Sequence, residues 1–175
     1  MLQKNQALWG NTVLATLDLS GIDIGKKGAV ALAQQLASAG SALTHLNISS
    51  CYIDAYLCKV LGDALATGEK KLRSLDLSYN GIGGCYGEAP ATEMLPPNFD
   101  PEISGVKALC DAVASGSLTN LSVAGSRITA SPSHRNSGEA VQQLAAAALS
   151  SKSLEVLSDV PIKELREDKH TSLEL

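Results

Sequence analysis

Aromatic side chains are nearly absent from this sequence. Phe, Trp and Tyr together make up 3% of the 175 residues, although hydrophobic residues reach 45%. A single large core normally depends on several aromatic side chains, because each of them buries a large area. Leu and Ala carry the apolar share here. This composition favours many small, similar layers of structure over one globular core.

The sequence also lacks the features that direct a protein to a membrane or to nucleic acid. No apolar run approaches the length of about 18 residues that a membrane span needs, and no apolar stretch of a signal peptide follows Met1. Lys and Arg number 14 against 18 Asp and Glu, which gives a net charge of −4 and a pI of 5.3. We therefore expect neither nucleic acid nor an anionic membrane as a partner.

Metal-binding cysteine motifs are missing as well. The four cysteines, Cys51, Cys58, Cys85 and Cys110, form no CxxC pair and no other metal-like spacing. Reduced, structural thiols are the expected state, which is typical of cytoplasmic proteins. We expect no metal and no cofactor.

One phrase, L-x-x-L-x-L, occurs four times. It begins at Leu14, Leu43, Leu72 and Leu118. The first three copies are 29 residues apart, and the fourth begins 46 residues after the third. The offset of 29 also relates positions with helical spacing, such as Leu32 with Leu61 and Leu36 with Leu65. A fixed period of this size is typical of stacked repeat proteins.

The third copy continues as Leu75-Asp-Leu77-Ser-Tyr-Asn80-Gly-Ile82-Gly. Together with the repeated phrase, this stretch resembles the leucine-rich repeat family in its long, ribonuclease-inhibitor-like form. The resemblance implies an α/β fold, a leucine-rich-repeat solenoid or horseshoe with parallel strands on the concave face and helices on the convex face. It also implies that the amide of Asn80 satisfies backbone groups of a buried turn. Cys51 and Ser126 occupy the same position in their repeats.

We predict a single repeat domain over residues 1–175. The predicted strands, which form one parallel sheet in sequence order, are 16–19, 45–48, 74–77 and 120–123, and the predicted helices are about 26–38, 55–67, 102–114 and 138–150. The full repeats are about 13–41, 42–70, 71–116 and 117–151, after an N-terminal cap or partial repeat at 1–12. Residues 152–175 are either a degenerate or truncated repeat, in which case the chain is a fragment of a longer array, or a C-terminal cap.

The x positions of the phrase should face the concave side of the sheet, where matched repeats place equivalent residues about 4.8 Å apart. The three predicted columns are Thr16, His45, Ser74 and Asn120; Asp18, Asn47, Asp76 and Ser122; and Ser20, Ser49, Ser78 and Ala124. This face is small, polar and mildly acidic. The candidate partner-binding residues on it are Asp18, His45, Asn47, Asp76 and Asn120, with Tyr79 at a strand end as the nearest large anchor.

Two insertions interrupt the repeats between strand end and helix start. They span Gly83 to about Pro101 and Thr129–Ser137, and both should emerge on the same rim beside the concave face. The first contains acidic residues and an apolar centre, and its candidate partner-binding residues are Glu88, Glu93, Met94, Leu95 and Phe99. The segment is either a docking loop or a loop that folds these apolar side chains back onto its own repeats.

Catalytic chemistry finds little support in these residues. No Ser or Cys nucleophile sits in a recognisable motif beside a base. Asp18 and Asp76 should lie roughly 10 Å apart, too far to share one metal ion. A pair between His45 and either carboxylate is conceivable, against the simpler interpretation of solvated surface residues. The glycine-lysine stretch at residues 21–27 has the wrong spacing for a phosphate-binding loop.

The function predicted from these observations is a protein–protein interaction scaffold, not an enzyme, that binds another protein through the concave face and the insertion rim. The alternative is a regulatory domain similar to the GTPase activators that share this fold. Arg73 and Arg127 lie near predicted strand or turn positions, but neither matches a motif of that class. No small-molecule substrate is expected, and we expect a cytoplasmic location.

Overall fold

The structure is a computed structural model that describes residues 11–83, 103–126, 128 and 137–167. Strands and helices alternate along the chain as far as the fifth strand, which is followed by a sixth strand and a short helix. The strands are β1 (Thr16–Asp18), β2 (His45–Asn47), β3 (Ser74–Asp76), β4 (Asn120–Ser122), β5 (Val156–Leu157) and β6 (Val160–Pro161). The helices are α1 (Gly25–Ala37), α2 (Ala55–Thr67), α3 (Ser104–Ala114), α4 (Ser137–Ser150) and α5 (Ile162–Glu167).

The strands form one sheet in sequence order, from β1 to β6. Strands β1 to β5 are parallel, and each of the first three pairings joins residues at the repeat offset, as in Leu17 with Leu46 and Leu46 with Leu75. The predicted parallel order is therefore confirmed. Each strand is one residue shorter than predicted, because Leu19, Ile48, Leu77 and Val123 fall just outside the assigned strands.

The middle leucine of each phrase points into the solenoid. Leu46, Leu75 and Leu121 are buried, and Leu157 of the fifth strand is also buried. The first leucine of each phrase joins the same core, as Leu72 and Leu118 do. Because each strand contributes only a few leucines, burial requires the layers on either side.

The helices cover the other side of this leucine core. They bury residues at helical spacing, such as Leu32 and Leu36 in α1 and their counterparts Leu61 and Leu65 in α2. All four predicted helices are present within two residues of their predicted bounds. Helical spacing alone predicts that Val30 of α1 also faces the core, but Val30 is only half-buried.

Helices α2 and α3 approach one another closely at a glycine. A Cβ atom added to Gly62 would lie 2.7 Å from the backbone carbon of Ala108. No real side chain tolerates such a contact, so glycine at this position sets the distance between the second and third repeats. The repeat spacing at the helices can then match the strand spacing at the sheet.

Asn80 holds the turn that follows β3. Its Oδ1 accepts hydrogen bonds from the backbone N–H groups of Cys51 at 2.9 Å and Ile53 at 3.0 Å. Its Nδ2 donates to the carbonyl oxygens of Ile48 and Leu77, both at 2.8 Å. The side chain is fully buried, so it joins the turns of two consecutive repeats through groups that would otherwise lack partners.

Shorter side chains take this position in the neighbouring repeats. The Cys51 thiol donates to the carbonyl of Leu19 at 3.0 Å, and the Ser126 hydroxyl donates to the carbonyl of Leu77 at 2.8 Å. Both residues are buried, as expected for Cys51 from its position in the repeat. Each makes the link to the preceding repeat but has too few polar atoms to reproduce the full Asn80 network.

The fifth unit ends in a reversal of the chain. Strands β5 and β6 pair antiparallel, with Leu157 opposite Val160. The two residues between them, Ser158 and Asp159, have φ angles of 47° and 69°, as in the type I′ turns that suit two-residue hairpins. Helix α5 follows and buries Ile162 against the core.

Candidate functional site

The concave face of the sheet is a regular grid of side chains. Pairing places Thr16 beside His45, His45 beside Ser74, and Ser74 beside Asn120. Thr16, His45 and Asn120 are exposed, while Ser74 is half-buried. The first predicted column is therefore present, and its side chains stand in a row across neighbouring strands.

The second column lies at the strand ends and shapes the turns. Asp18, Asn47 and Asp76 each accept a hydrogen bond at Oδ1 from the backbone N–H two residues later, at 2.9, 3.0 and 2.9 Å. This contact is the local side-chain turn that Asp and Asn favour. In the fourth repeat Ser122 takes the position and its hydroxyl lies 2.6 Å from that of Ser78. The column thus combines two carboxylates with two neutral polar groups.

The Asp18 carboxylate is held in its charged form. The backbone N–H of Ser20 donates to it, and this hydrogen bond lowers the pKa of Asp18 below its ordinary value of 3.8. Asp18 is fully exposed, so its charge faces solvent at neutral pH. It contributes to the mildly acidic character predicted for the face.

His45 interacts with its neighbour in sequence and not with the carboxylates. Its Nδ1 lies 2.8 Å from the Thr44 hydroxyl. Across the described parts of the chain, no hydrogen bond joins its ring to Asp18 or Asp76. The simpler of the two interpretations, a surface histidine, therefore describes its contacts.

The third column is less open than predicted. Ser20 is exposed and Ser49 is half-buried, but Ser78 is 6% exposed because its side chain bonds to Ser122. Beyond these residues lies the edge at which the strands end. We call it the strand-end rim, formed by the turns 20–24, 49–54, 78–83 and 124–126.

Two large side chains stand out on the strand-end rim. Tyr79, the nearest large anchor in the sequence analysis, is 67% exposed, and Tyr52 is 65% exposed. The part of Tyr79 in binding stays a prediction. Tyr52 was missed by the sequence analysis, although an aromatic residue inside a short turn was a signal that could have found it. Tyr52 lies in the turn after β2, and Tyr79 lies in the turn after β3.

The insertions join the described chain at this rim. Residues 84–102 connect Gly83 to Ile103, and residues 129–136 follow Ile128. Glu88, Glu93, Met94, Leu95 and Phe99 lie outside the described residues, so their proposed part in binding stays a prediction. The points of attachment occupy equivalent positions in consecutive repeats, as the sequence indicated.

Two of the thiols in the described chain, Cys51 and Cys58, are buried, and Cys110 is half-buried. Burial raises the pKa of Cys58 to about 12 and that of Cys110 to about 11. Burial also raises the pKa of Cys51. A protonated thiol is a poor nucleophile and a poor metal ligand. Within the same residue ranges, no group of three or more His, Cys, Asp or Glu side chains could hold a metal ion.

Arg73, one of the two arginines considered for a GTPase-activator role, contacts the next repeat. Arg73 donates from Nη1 to the carbonyl of Ser117 at 2.9 Å, a contact that ties it to the next repeat. Arg127, the other arginine considered for a GTPase-activator role, lies outside the described residues.

None of the described helices is long and apolar enough to cross a membrane.

Comparisons with known proteins agree with this architecture. A family profile described as Leucine Rich repeat matches residues 10–33 and 70–84. A ribonuclease inhibitor from Sus scrofa is 34% identical over 131 residues, with 66% of this chain and 27% of the relative covered. The chain thus spans about a quarter of the length of the curated relative that it matches.

Similar solved structures include the Leiomodin-1 Actin-Binding Site 2, with a TM-score of 0.63 and 16% identity over 87% of this chain and 73% of that one. A tropomodulin C-terminal domain from Caenorhabditis elegans has a TM-score of 0.58 and 12% identity over 89% of this chain and 79% of that one. At these identities the two structures establish a shared fold and nothing finer.

Proposed function

Because the chain belongs to the leucine-rich repeat family, in its ribonuclease-inhibitor-like form, we propose that it is a scaffold that binds another protein through its concave face and strand-end rim. The observation that carries the proposal is the grid of polar side chains set in register across neighbouring strands. The similar protein from Sus scrofa is named as an inhibitor of ribonuclease, which is a binding function.

The grid suits a protein better than a small molecule. Its columns repeat at a strand spacing of about 4.8 Å, so five parallel strands extend over roughly 20 Å. Most of the exposed side chains on it are short, and an open surface of short polar groups lets another backbone or side chain approach closely. Small-molecule sites are instead enclosed pockets that bury most of the ligand.

Binding rather than catalysis is the activity that we propose. The thiols are held protonated by burial, and the Asp18 and Asp76 carboxylates serve as acceptors for turn N–H groups. These groups shape the surface on which a partner would rest. Acid–base or nucleophilic chemistry would instead require a pair of groups within hydrogen-bond reach.

The test is to obstruct the grid and measure partner capture. We would replace two exposed residues of the first column in one variant, His45→Arg with Asn120→Arg, because bulky charged side chains would block close approach. The tagged chain would be used to isolate partners from cell lysate, and a purified partner would then be titrated by calorimetry. The expected result is a loss of affinity of about tenfold or more, as for disruption of an interface centre.

A matched control places the same charges on the convex side. Gln34→Arg with Gln142→Arg alters exposed, uncharged residues of α1 and α4 and adds the same two positive charges, and partner binding should persist. A control that weakens binding as much as the concave variant would contradict the proposal, as would a wild-type chain that captures no partner. Replacing residues 84–101 by a short Gly-Ser turn would then report separately on the contribution of the first insertion.

A further inference from the structure

One position of each turn on the strand-end rim has a left-handed backbone. In the first and fourth repeats it is a glycine, Gly21 with φ of 72° and Gly125 with φ of 66°. The equivalent residues of the second and third repeats are Ser50, with φ of 54°, and Tyr79, with φ of 57°. The fold therefore requires a positive φ here, and glycine is the residue that adopts it at least cost.

Tyrosine is an unfavourable residue for this conformation. A bulky L-residue with positive φ is a steric outlier, because its Cβ lies too close to the backbone. Tyr52 has the same conformation, with φ of 58°. Because both side chains are about two-thirds exposed, their burial within this chain offsets little of the free energy that the strained backbone costs. Outliers of this kind concentrate at functional sites.

The Tyr79 ring is also held in place by its neighbour. A Cβ atom built on Gly125 would lie 2.7 Å from Cδ1 and 2.8 Å from Cε1 of Tyr79. The ring therefore lies directly against the backbone of the next turn, where only a glycine leaves room for it. An aromatic ring fixed before binding loses little conformational entropy when a partner packs on its exposed side.

Two carboxylates lie at neighbouring positions of the repeats that carry or flank the two tyrosines. Asp23 occupies in the first repeat the position that Tyr52 occupies in the second, and it is exposed. Asp76 lies three residues before Tyr79. Lysines are present at the first-repeat end, and one of them, Lys26, lies with its Nζ 4.9 Å from the ring centroid of Tyr56. That contact is an example, within this chain, of a cation resting on a tyrosine.

From this arrangement we infer that Tyr52 and Tyr79 are paired anchors for a basic segment of a partner protein. Arg or Lys side chains of that segment would lie on the tyrosine rings, with their charges near the rim carboxylates, and its aliphatic side chains would cover the remaining ring surface. The inference rests on the proposed scaffold function and specifies the chemistry of the partner for the strand-end rim.

The test uses glycine in place of each tyrosine. Tyr52→Gly and Tyr79→Gly relieve the backbone strain, so the midpoint of urea denaturation should stay the same or rise. The probe is a fluorescent short peptide of alternating Arg and Leu, with an alternating Glu and Leu peptide as its charge-reversed counterpart. Each variant should bind the basic peptide about tenfold more weakly than the wild type does.

Matched variants separate the ring from the position. Tyr52→Phe and Tyr79→Phe keep the ring and should retain binding of the basic peptide. Val13→Ala removes part of an apolar side chain that lies away from the rim and is even more exposed, at 83%, and it should change nothing. The inference is overturned if the wild type does not bind the basic peptide, if it binds the acidic peptide as well, or if the glycine variants bind normally.

Failure of this inference is distinguishable from failure of the scaffold function. A natural partner that is lost with His45→Arg and Asn120→Arg but retained by both tyrosine variants would leave the scaffold proposal standing and remove the tyrosine anchors. Loss of that partner in the glycine variants, with unchanged denaturation midpoints and normal binding by the phenylalanine variants, is the expected result.

Discussion

The first repeat and the middle repeats carry the same phrase but bury it to different degrees. Leu46 and Leu75 are each 2% exposed, whereas their counterpart Leu17 in β1 is half-buried. The position of Asn80 shows the same contrast, because Asn80 is fully buried and its counterpart in the first repeat, Ile22, is 52% exposed. Among the described residues, the first repeat packs against a neighbour on one side and the middle repeats on both, so we expect equivalent positions to contribute differently to the stability of this chain.

The first way to sharpen this contrast is a pair of leucine truncations. Leu46→Ala should lower the free energy of unfolding by about 2–5 kcal/mol, the range for a buried leucine. Leu17→Ala should cost clearly less, because part of its side chain already contacts solvent. Urea denaturation of both variants measures the difference, and equal losses would mean that the end repeat is as tightly packed as the middle.

Substitution of Asn80 should have the next largest effect on the free energy of unfolding. Asn80→Ala leaves the backbone N–H groups of Cys51 and Ile53 without their acceptor, and we expect a loss of about 2–3 kcal/mol. Ile22→Ala, at the equivalent position of the first repeat, should change stability by less than about 0.5 kcal/mol. The comparison breaks if the two substitutions have similar effects in thermal or urea melts.

A pH series tests the burial of the middle repeat through Cys58. Its pKa is about 12 in the folded protein against 9.0 for an ordinary thiol, so the unfolded chain loses this proton first. The contribution of the protonated Cys58 thiol to the free energy of unfolding is fully present below a pH of about 9. It is lost as the pH rises towards about 12. Cys58→Ala, which copies Ala29 of the first repeat, should cost about 1 kcal/mol at neutral pH.

The difference between wild type and Cys58→Ala should therefore shrink in urea melts as the pH is raised above that of ordinary thiol ionisation. Cys110→Ala should show the same trend over a narrower range, since the pKa of Cys110 is about 11. A difference that stays constant with pH would show that Cys58 reaches solvent more readily than its burial indicates.

The smallest effect should come from the concave face. Asp18→Ala and Asp76→Ala should each stay within about 0.5 kcal/mol of the wild type, because both side chains contact solvent and stabilise only a local turn. The change in stability should therefore be similar for Asp18→Ala in the first repeat and Asp76→Ala in the third. A large loss for Asp76 alone would show that its role in the third repeat is structural and not that of a binding surface.

Much of the fold could be predicted because each repeat carries its own register. The period of 29 residues places Leu17 beside Leu46 and Leu75, and the observed pairing follows it. The role of Asn80 followed from the family resemblance, and its hydrogen bonds confirm it. Val30 was misassigned to the core because helical spacing alone does not distinguish the edge of the apolar stripe, a position that Lys59 fills in the second repeat.

The antiparallel end of the sheet could not be predicted in the same way. Ser158 and Asp159 form its two-residue turn with positive φ angles, yet neither is a glycine, so the usual signal for this turn was absent. The positive φ angle of Tyr52 could not be predicted either, because that residue is also not a glycine. The division of the chain into repeats stays a prediction. The binding residues of the insertions also stay a prediction, because only binding to a natural partner would test them.

The Asn80 network also bears on how the protein ages. In a flexible chain, an asparagine before a glycine readily loses its side-chain amide, because the glycine nitrogen can attack the side-chain carbonyl carbon and close a succinimide ring. In the folded turn the Gly81 N–H donates to the carbonyl of Ile53 at 2.8 Å, while the Asn80 amide is fixed by its own hydrogen bonds. The attacking nitrogen and the amide are thus held in other interactions. We therefore expect folding to slow deamidation at Asn80, so that the rate of this damage reports how often the third turn opens.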